Sequence, residues 1–307
     1  MNLDAVVIVI TLGLVATACG FVGPFLVVRR SALIADALGH AVLPGLVAAY
    51  LVGGWRLLPV RLGAAMVVAV GCALAIEAVA RRRLVAHDAA IALVFPALFA
   101  LGVVGVTVFA DGVHLDLDAA IYGDITFAPL RTVADTAMPV SIVSTGLAVV
   151  VAAAVAFLVR RPLLADTVDP VGAQVAGLGG AAAARILLSA VAVIAVLVFE
   201  SIGAVLLVAY LIVPAVLGQR VARTMAGAVG IAIGTGWVAA VVGYTAAVTF
   251  DTSVTGAVGL ANVGLFSLVV AALAVVAALK RSRHTPVTAR QKLGSVDGSD
   301  LQVGGGL

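Results

Sequence analysis

Long apolar runs separated by short polar connections fill most of this 307-residue chain. An α-helix that crosses a bilayer needs about 20 predominantly apolar residues, and most of the runs approach that length. They cover residues 5–28, 32–54, 60–80, 88–110, 137–159, 183–199, 202–219, 226–250 and 255–279. Residues 199–202 can also be interpreted as a break within one re-entrant element. The pattern therefore predicts an all-α integral membrane protein with eight or nine transmembrane helices.

The composition changes this picture little. Of the residues, 64% are hydrophobic and only 11% are charged, whereas a soluble domain has about 25% charged residues. The net charge of +3 gives no indication of nucleic-acid binding, because in a membrane protein the positions of the arginines matter more than their sum. Cys19 and Cys72 each lie inside an apolar run, so we interpret them as small core residues and not as a disulfide or metal site.

Basic residues follow the first apolar run and then every second run. The clusters are Arg29 with Arg30, residues 81–83, Arg160 with Arg161, Arg220 with Arg223, and residues 280–283. Exceptions are Arg56 and Arg61 in a short outer turn and Arg131 in a longer outer connection. The positive-inside rule predicts an N-terminus outside and a C-terminus in the cytoplasm. Residues 1–281 then form one transmembrane domain, and the polar, Gly-rich residues 282–307 are expected to be a disordered cytoplasmic tail.

Candidate chemistry lies in the second apolar run, where Asp36 and His40 are four residues apart. On a helix this spacing puts both side chains on one face. A carboxylate and an imidazole form half of a site for a divalent ion such as zinc or manganese. His40 is about 15 Å beyond Arg30, near the middle of a core about 30 Å thick, where ionisable groups usually line a pathway. The alternative is a helix end with a capping Asp and a buried, hydrogen-bonded His.

The connection 160–180 contains a second pattern. Asp169 can cap a short helix with Pro170 at its first position. Val171, Val175 and Leu178 then share one apolar face. Such a helix suits docking to a soluble cytoplasmic partner, and the alternative is a helix that lies on the membrane interface.

Other motifs have weaker readings. Glu200 at the outer end of a span is a candidate gate or metal ligand, and the slightly favoured alternative is a solvated carboxylate. Pro214 is expected to kink its helix beside a protein-lined cavity. Gly227, Gly230, Gly234 and Gly236 give the next span a face of small residues, including a GxxxG at 230–234, and predict close helix packing. Glu77 and Arg81 have the spacing of a helical ion pair. We interpret residues 111–118, with three Asp and one His, as a solvated acidic loop.

Motifs that would indicate other functions are absent from the sequence. There is no GxxxxGK[ST], so the chain does not bind ATP through a P-loop, and no HExxH or GxSxG supports a protease or hydrolase of those types. No Met or Cys aligns with Asp36 and His40, which argues against a copper(I) path.

Four segments resemble the permease subunits of bacterial ATP-binding-cassette importers for zinc, manganese and iron(II). They are DALGHAVLPG at 36–45, IYGDI at 121–125, the stretch from Asp169 to Gly177, and the stretch from Ile202 to Ala215. The resemblance covers residues 5–279 in order. Two departures are Val216-Leu217-Gly218 after the last motif and Glu200, where a neutral residue is common.

The resemblance implies a type II importer fold in the bacterial plasma membrane. It implies two copies of this chain, two cytoplasmic ATPase subunits and an external metal-binding protein. The chain itself would be no enzyme, since the separate ATPase hydrolyses ATP, and would hold no permanent cofactor. Asp36 and His40 would bind the passing zinc or manganese, or iron(II), and segment 169–178 would dock the ATPase. The alternative function is a proton-coupled secondary metal transporter, which intramembrane Asp and His residues would serve equally well.

Overall fold

The computed structural model describes residues 3–31, 33–52, 57–82, 85–109, 125–130, 138–177 and 180–283. The helices within these ranges are α1 Leu3–Val28, α2 Leu33–His40, α3 Val42–Leu51, α4 Leu58–Arg81, α5 His87–Phe109, a 3₁₀ helix Ile125–Leu130, α6 Val140–Val168, α7 Pro170–Val175, α8 Gly180–Val221, α9 Met225–Phe250 and α10 Val254–Arg283. Seven of the described helices are long and apolar enough to cross a membrane, and residues 36–51 form a shorter apolar segment. The predicted all-α membrane fold is confirmed.

The predicted apolar runs correspond to these helices with two differences. The run 32–54 is divided into α2 and α3 at Ala41. The runs 183–199 and 202–219 belong to one 42-residue element, α8, which has non-helical dihedral angles at Gly203 (φ 71°, ψ 176°). Glycine is essentially the only residue that adopts this combination of angles. Gly203 therefore marks the break that the sequence suggests near residues 199–202.

Both ends of α8 lie at the same end of the helix bundle. At its start, Arg81 from the end of α4 donates a hydrogen bond to the Ala181 carbonyl oxygen (3.5 Å). At its end, Gln219 donates to the Pro24 carbonyl oxygen in the last turns of α1 (3.1 Å). The ends of α1 and α4 in turn line one cleft together with the start of α8. We call this the inner end, after the orientation predicted from the arginine clusters.

The chain therefore reverses direction within α8. Glu200 lies beside Arg61 in the first turn of α4, about 30 Å from Arg81 by the helical rise. The first half of α8 thus runs antiparallel to α4 towards the outer end, and the second half returns along α1. Counted in this way α8 supplies two spans, in agreement with the predicted eight or nine.

Glycines allow α1 to approach its neighbours closely. A Cβ on Gly13 would lie 2.2 Å from the Trp237 ring of α9, and one on Gly23 would lie 2.4 Å from the Leu211 carbonyl oxygen of α8. Trp237 also donates a hydrogen bond to Thr17 Oγ1 (3.0 Å). Small residues thus place α1 at the centre of the packing.

The close packing predicted for Gly227, Gly230, Gly234 and Gly236 of α9 is confirmed at Gly236, whereas Gly230 and Gly234 meet no neighbour within the described part of the chain. A Cβ on Gly230 or Gly234 would meet no described atom within 4 Å, whereas a Cβ on Gly236 would lie 2.7 Å from Ala16 Cβ. Gly236 therefore allows α9 to approach α1 closely, on a different face of the helix from Gly230 and Gly234.

The chain divides into two compact units, Met1–Phe266 and Ser267–Leu307. Within the second unit the structure describes the remainder of α10, up to Arg283. Residues 284–307 lie outside the described residues, so the disordered tail at 282–307 and the domain boundary at residue 281 stay predictions.

Candidate metal-transport site

The short helix α2 has a buried stripe and an open face. Ile34, Ala37 and Leu38 are almost completely buried, and a Cβ on Gly39 would lie 3.6 Å from Ala204 Cβ of α8. The apolar stripe therefore packs against α8 immediately after its break. Helical periodicity then turns the other face, which carries Asp36 and His40, away from this contact.

Asp36 and His40 lie next to each other on the open face. His40 Nε2 is 3.5 Å from Asp36 Oδ1, and the two side chains are 28% and 52% exposed, respectively. Two ligand atoms that are each about 2.1 Å from a tetrahedral ion are about 3.4 Å apart. The pair can therefore bind one ion with very little rearrangement. Among the described residues no group of three or more His, Cys, Asp or Glu side chains could hold a metal, so the remaining ligands must come from elsewhere.

Two aromatic side chains of α5 hold the imidazole ring. The His40 ring stacks on Phe95 with 5.4 Å between centroids and 30° between planes. Phe99 meets it edge-on at 5.6 Å and 77°. Phe95 and Phe99 are one helical turn apart in the middle of α5, so His40 lies at a level midway along a spanning helix. Sequence reasoning missed these two residues, although their spacing of four is visible in the run 88–110.

The predicted cytoplasmic helix is present as α7. The Gly172 backbone N–H donates to Asp169 Oδ1 (2.9 Å), so Asp169 caps the helix as expected. Val171 and Val175 are 74% and 86% exposed, whereas Ala173 is buried. Pro170 begins the helix, and Leu178 lies outside the described residues. The docking role of this segment stays a prediction.

Glu200 forms an ion pair with Arg61 at 2.5 Å, and each side chain is 30% exposed. The sequence placed Arg61 in an outer turn, which is wrong, because α4 begins at Leu58 and includes it. Glu200 is therefore tied to α4 three residues before the break at Gly203, and is not simply a solvated carboxylate. Pro214 is buried in the second half of α8, whose non-helical angles occur at Gly203. Roles for Glu200 and Pro214 in gating stay predictions.

Two other sequence features fall largely outside the described residues. These are the acidic stretch 111–118 and the first four residues, 121–124, of the IYGDI motif. The last residue of that motif, Ile125, is described and is buried at the start of the 3₁₀ helix. The ion pair predicted between Glu77 and Arg81 is confirmed at 2.9 Å.

Comparisons with known proteins bear on the family and the fold of this chain. A model of the ABC 3 transport family matches residues 3–276. The zinc transport system membrane protein TroD of Treponema pallidum is 35% identical over 216 residues, which are 70% of this chain and 58% of that protein. The chain thus spans less than two thirds of the length of TroD.

Another relative is covered more completely. The manganese transport system membrane protein MntC of Halalkalibacterium halodurans is 33% identical over 255 residues, which are 83% of this chain and 82% of that protein. The fold is similar to that of a chain in the structure of PsaBC from Streptococcus pneumoniae in complex with Fab. The TM-score is 0.68 with 23% identity, over 85% of this chain and 88% of the other.

Proposed function

The chain belongs to the ABC 3 transport family, and from this premise we propose that it is the permease subunit of an ATP-driven importer of zinc, manganese or iron(II). Its relatives are named as zinc and manganese transport system membrane proteins, which supports this substrate class. The chain forms the membrane path, and a separate subunit hydrolyses ATP.

The observation that carries the proposal is the Asp36–His40 pair. The two side chains lie 3.5 Å apart on a helix face that is open to its surroundings. The His40 ring contacts Phe95 and Phe99 in the middle of α5. Two protein ligands leave a divalent ion incompletely coordinated. The rest come from water, from backbone carbonyls or from side chains of a second copy of this chain, and an ion held in this way also leaves readily, which suits passage.

The proposed assembly has a different partner at each end of this chain. At the inner end α7 presents Val171 and Val175 to solvent, and a soluble ATPase docks there. At the outer end an extracellular metal-binding protein delivers the ion. Two copies of this chain enclose the path, with the open face of α2 turned towards it.

The orientation has a structural argument in its favour. Because α8 reverses at Gly203, Arg220 near its end lies at the same end of the bundle as Arg29 and Arg81. This gathers three of the arginine clusters on one side, as the positive-inside rule requires of a cytoplasmic face. The N-terminus is then outside and the C-terminus in the cytoplasm.

We assign the gate to the outer part of α8. The Arg61–Glu200 pair and the break at Gly203 adjoin the contact between α8 and α2. A shift of α8 at this point moves the helix that holds the metal ligands. Pro214 keeps the returning half of α8 short of one backbone hydrogen bond, which makes that half easier to bend.

Radiometal uptake by cells tests the proposal, with zinc, manganese and iron in competition. His40→Ala, Asp36→Ala and Asp36→Asn should each reduce uptake at least tenfold while membrane insertion is retained. The control Asp4→Ala removes an exposed carboxylate in the first turn of α1 and should leave uptake unchanged. Wild-type uptake by inserted His40→Ala would refute the metal path, and uptake that persists without ATP but needs a proton gradient would identify a secondary transporter.

A further inference from the structure

Asp166 joins the docking segment to the end of α1. It lies in the last turn of α6, three residues before the Asp169 cap of α7. Arg29 Nη1 donates to Asp166 Oδ2 at 3.0 Å, with the two side chains 26% and 21% exposed. A pair that is largely withdrawn from water is screened less than a surface pair. The contact therefore links the end of α1 to the end of α6, from which the chain continues into α7.

Arg29 is followed by a hydrogen-bonded turn that precedes α2. The Ser31 N–H bonds the Leu26 carbonyl and the Arg30 N–H bonds the Val27 carbonyl, both at 3.0 Å. This pattern is a Schellman motif, with Arg30 in the left-handed position (φ 56°) that glycine usually occupies. The Ser31 hydroxyl also donates to the Arg29 carbonyl (3.3 Å). Helix α2, which carries Asp36 and His40, begins at Leu33, only four residues after Arg29 along the chain.

Asp166 also meets the start of α8. A Cβ on Gly180 would lie 2.0 Å from Asp166 Cγ, so only a glycine permits this approach. The carboxylate is thereby confined between α1 and α8. Beside it is a cleft of about 470 Å³ that Arg29, Glu77, Arg81 and Asp166 all line. The pair thus has room on one side to move as a unit when α7 moves.

We infer that the Arg29–Asp166 ion pair transmits movement of the docked ATPase to the helix that carries Asp36 and His40. The two side chains are positioning residues for transport and neither touches the ion. A shift of α7 displaces Asp166, the charged contact carries Arg29 with it, and the hydrogen-bonded turn at Arg30 passes the displacement to α2. This inference rests on the proposed function, because it requires an ATPase docked at α7 and a metal path at Asp36 and His40.

The test uses the purified complex of this chain with its ATPase in proteoliposomes, with the metal-loaded external binding protein supplied on the outer side. Asp166→Asn and Arg29→Gln should each leave ATPase association and basal ATP turnover at wild-type levels. Metal-stimulated ATP turnover and metal transported per ATP should each fall about tenfold. The charge exchange Arg29→Asp with Asp166→Arg, and the conservative variant Arg29→Lys, should restore at least half of the stimulated rate.

The matched control is Glu77→Gln. It removes an ion pair that lines the same cleft but links two residues of one helix, Glu77 and Arg81, so coupling should stay at the wild-type level. If Asp166→Asn and Arg29→Gln keep full metal stimulation, or if Glu77→Gln uncouples equally, the inference is overturned while the proposed function stands. Lack of ATPase association or of metal stimulation in the wild-type complex would instead refute the proposed function itself. Failure of both rescue variants to restore stimulation would show that the pair serves folding alone and would also overturn the inference.

Discussion

Ala204, the residue that follows the break in α8, packs against Gly39, the neighbour of His40. A Cβ on Gly39 would lie 3.6 Å from Ala204 Cβ and 3.8 Å from a methyl group of Leu207. These are ordinary van der Waals distances, so one extra carbon fits and a longer side chain does not. Helix α2, which carries the candidate metal ligands Asp36 and His40, is therefore held directly against the segment of α8 that we assign to the gate.

This contact predicts different outcomes for two substitutions of Gly39. Gly39→Ala should keep metal uptake within about twofold of wild type. Gly39→Leu should reduce uptake at least tenfold, because overpacking separates α2 from α8 and displaces His40. Gly63→Leu is the control, since a Cβ there would meet no described atom within 4 Å. Uptake and membrane abundance are measured together, and normal uptake by Gly39→Leu would contradict the packing argument.

The contacts of Phe95 and Phe99 with the His40 ring give a second prediction. Aromatic contacts are worth about 0.5–1.5 kcal/mol beyond their buried area, which corresponds to about two- to tenfold in affinity. Phe95→Leu and Phe99→Leu should therefore raise the metal concentration for half-maximal uptake by about that factor, with less effect on the maximal rate. Phe250→Leu, at an exposed position of α9, should change neither quantity. An effect on the maximal rate alone would argue against a role in orienting His40.

Breaking the Arg61–Glu200 pair gives a third prediction. Glu200→Gln should lower the maximal uptake rate several-fold while metal binding to the purified protein is unchanged, because the gate and not the ligand pair is altered. Exchange of the two charges, Arg61→Glu with Glu200→Arg, should recover most of the rate. Isothermal titration and uptake measured on the same variants separate the two effects. Weaker metal binding by Glu200→Gln would favour a ligand role over a gating role.

The sequence predicts local features of the site well because they depend on nearby residues. The shared face of Asp36 and His40 follows from helical spacing, and the Asp169 cap follows from the preferences of helix N-termini. The sequence also predicts an interruption at 199–202, and the break in α8 lies at the adjoining residue Gly203.

Contacts between distant residues could not be predicted in this way. Arg61 and Glu200 are 139 residues apart, and no local pattern selects one partner among the other ionisable groups. The same limit applies to the glycines of α9, because a GxxxG identifies a helix face that permits close approach but not the neighbour that uses it. The Phe95–His40 contact likewise depends on how α2 and α5 meet.

The proposed orientation gives a fourth prediction. A reporter fused after Lys280 should show cytoplasmic activity, and one fused at Asp116 should show external activity, because in the proposed orientation the arginine clusters face the cytoplasm. A third fusion at Gly203 should be external, since α8 reverses there. Cytoplasmic activity at Gly203 with the other two results as expected would refute the reversal alone, and inversion of all three would refute the orientation and with it the docking argument.

The exposed face of α7 gives the last prediction. Val171 and Val175 lie one turn apart and are 74% and 86% exposed, which leaves apolar surface in water unless a partner covers it. Val171→Asp with Val175→Asp should release the ATPase from detergent-purified complexes and abolish metal-stimulated ATP turnover, because each buried contact would have to desolvate a carboxylate. Val221→Asp introduces the same charge at an exposed position at the end of α8 and should leave association intact. Co-purification of the ATPase with the double variant at wild-type stoichiometry would show that the ATPase docks elsewhere. Loss of the ATPase from Val221→Asp as well would show that release is caused by added negative charge at the inner end and not by the lost apolar contact.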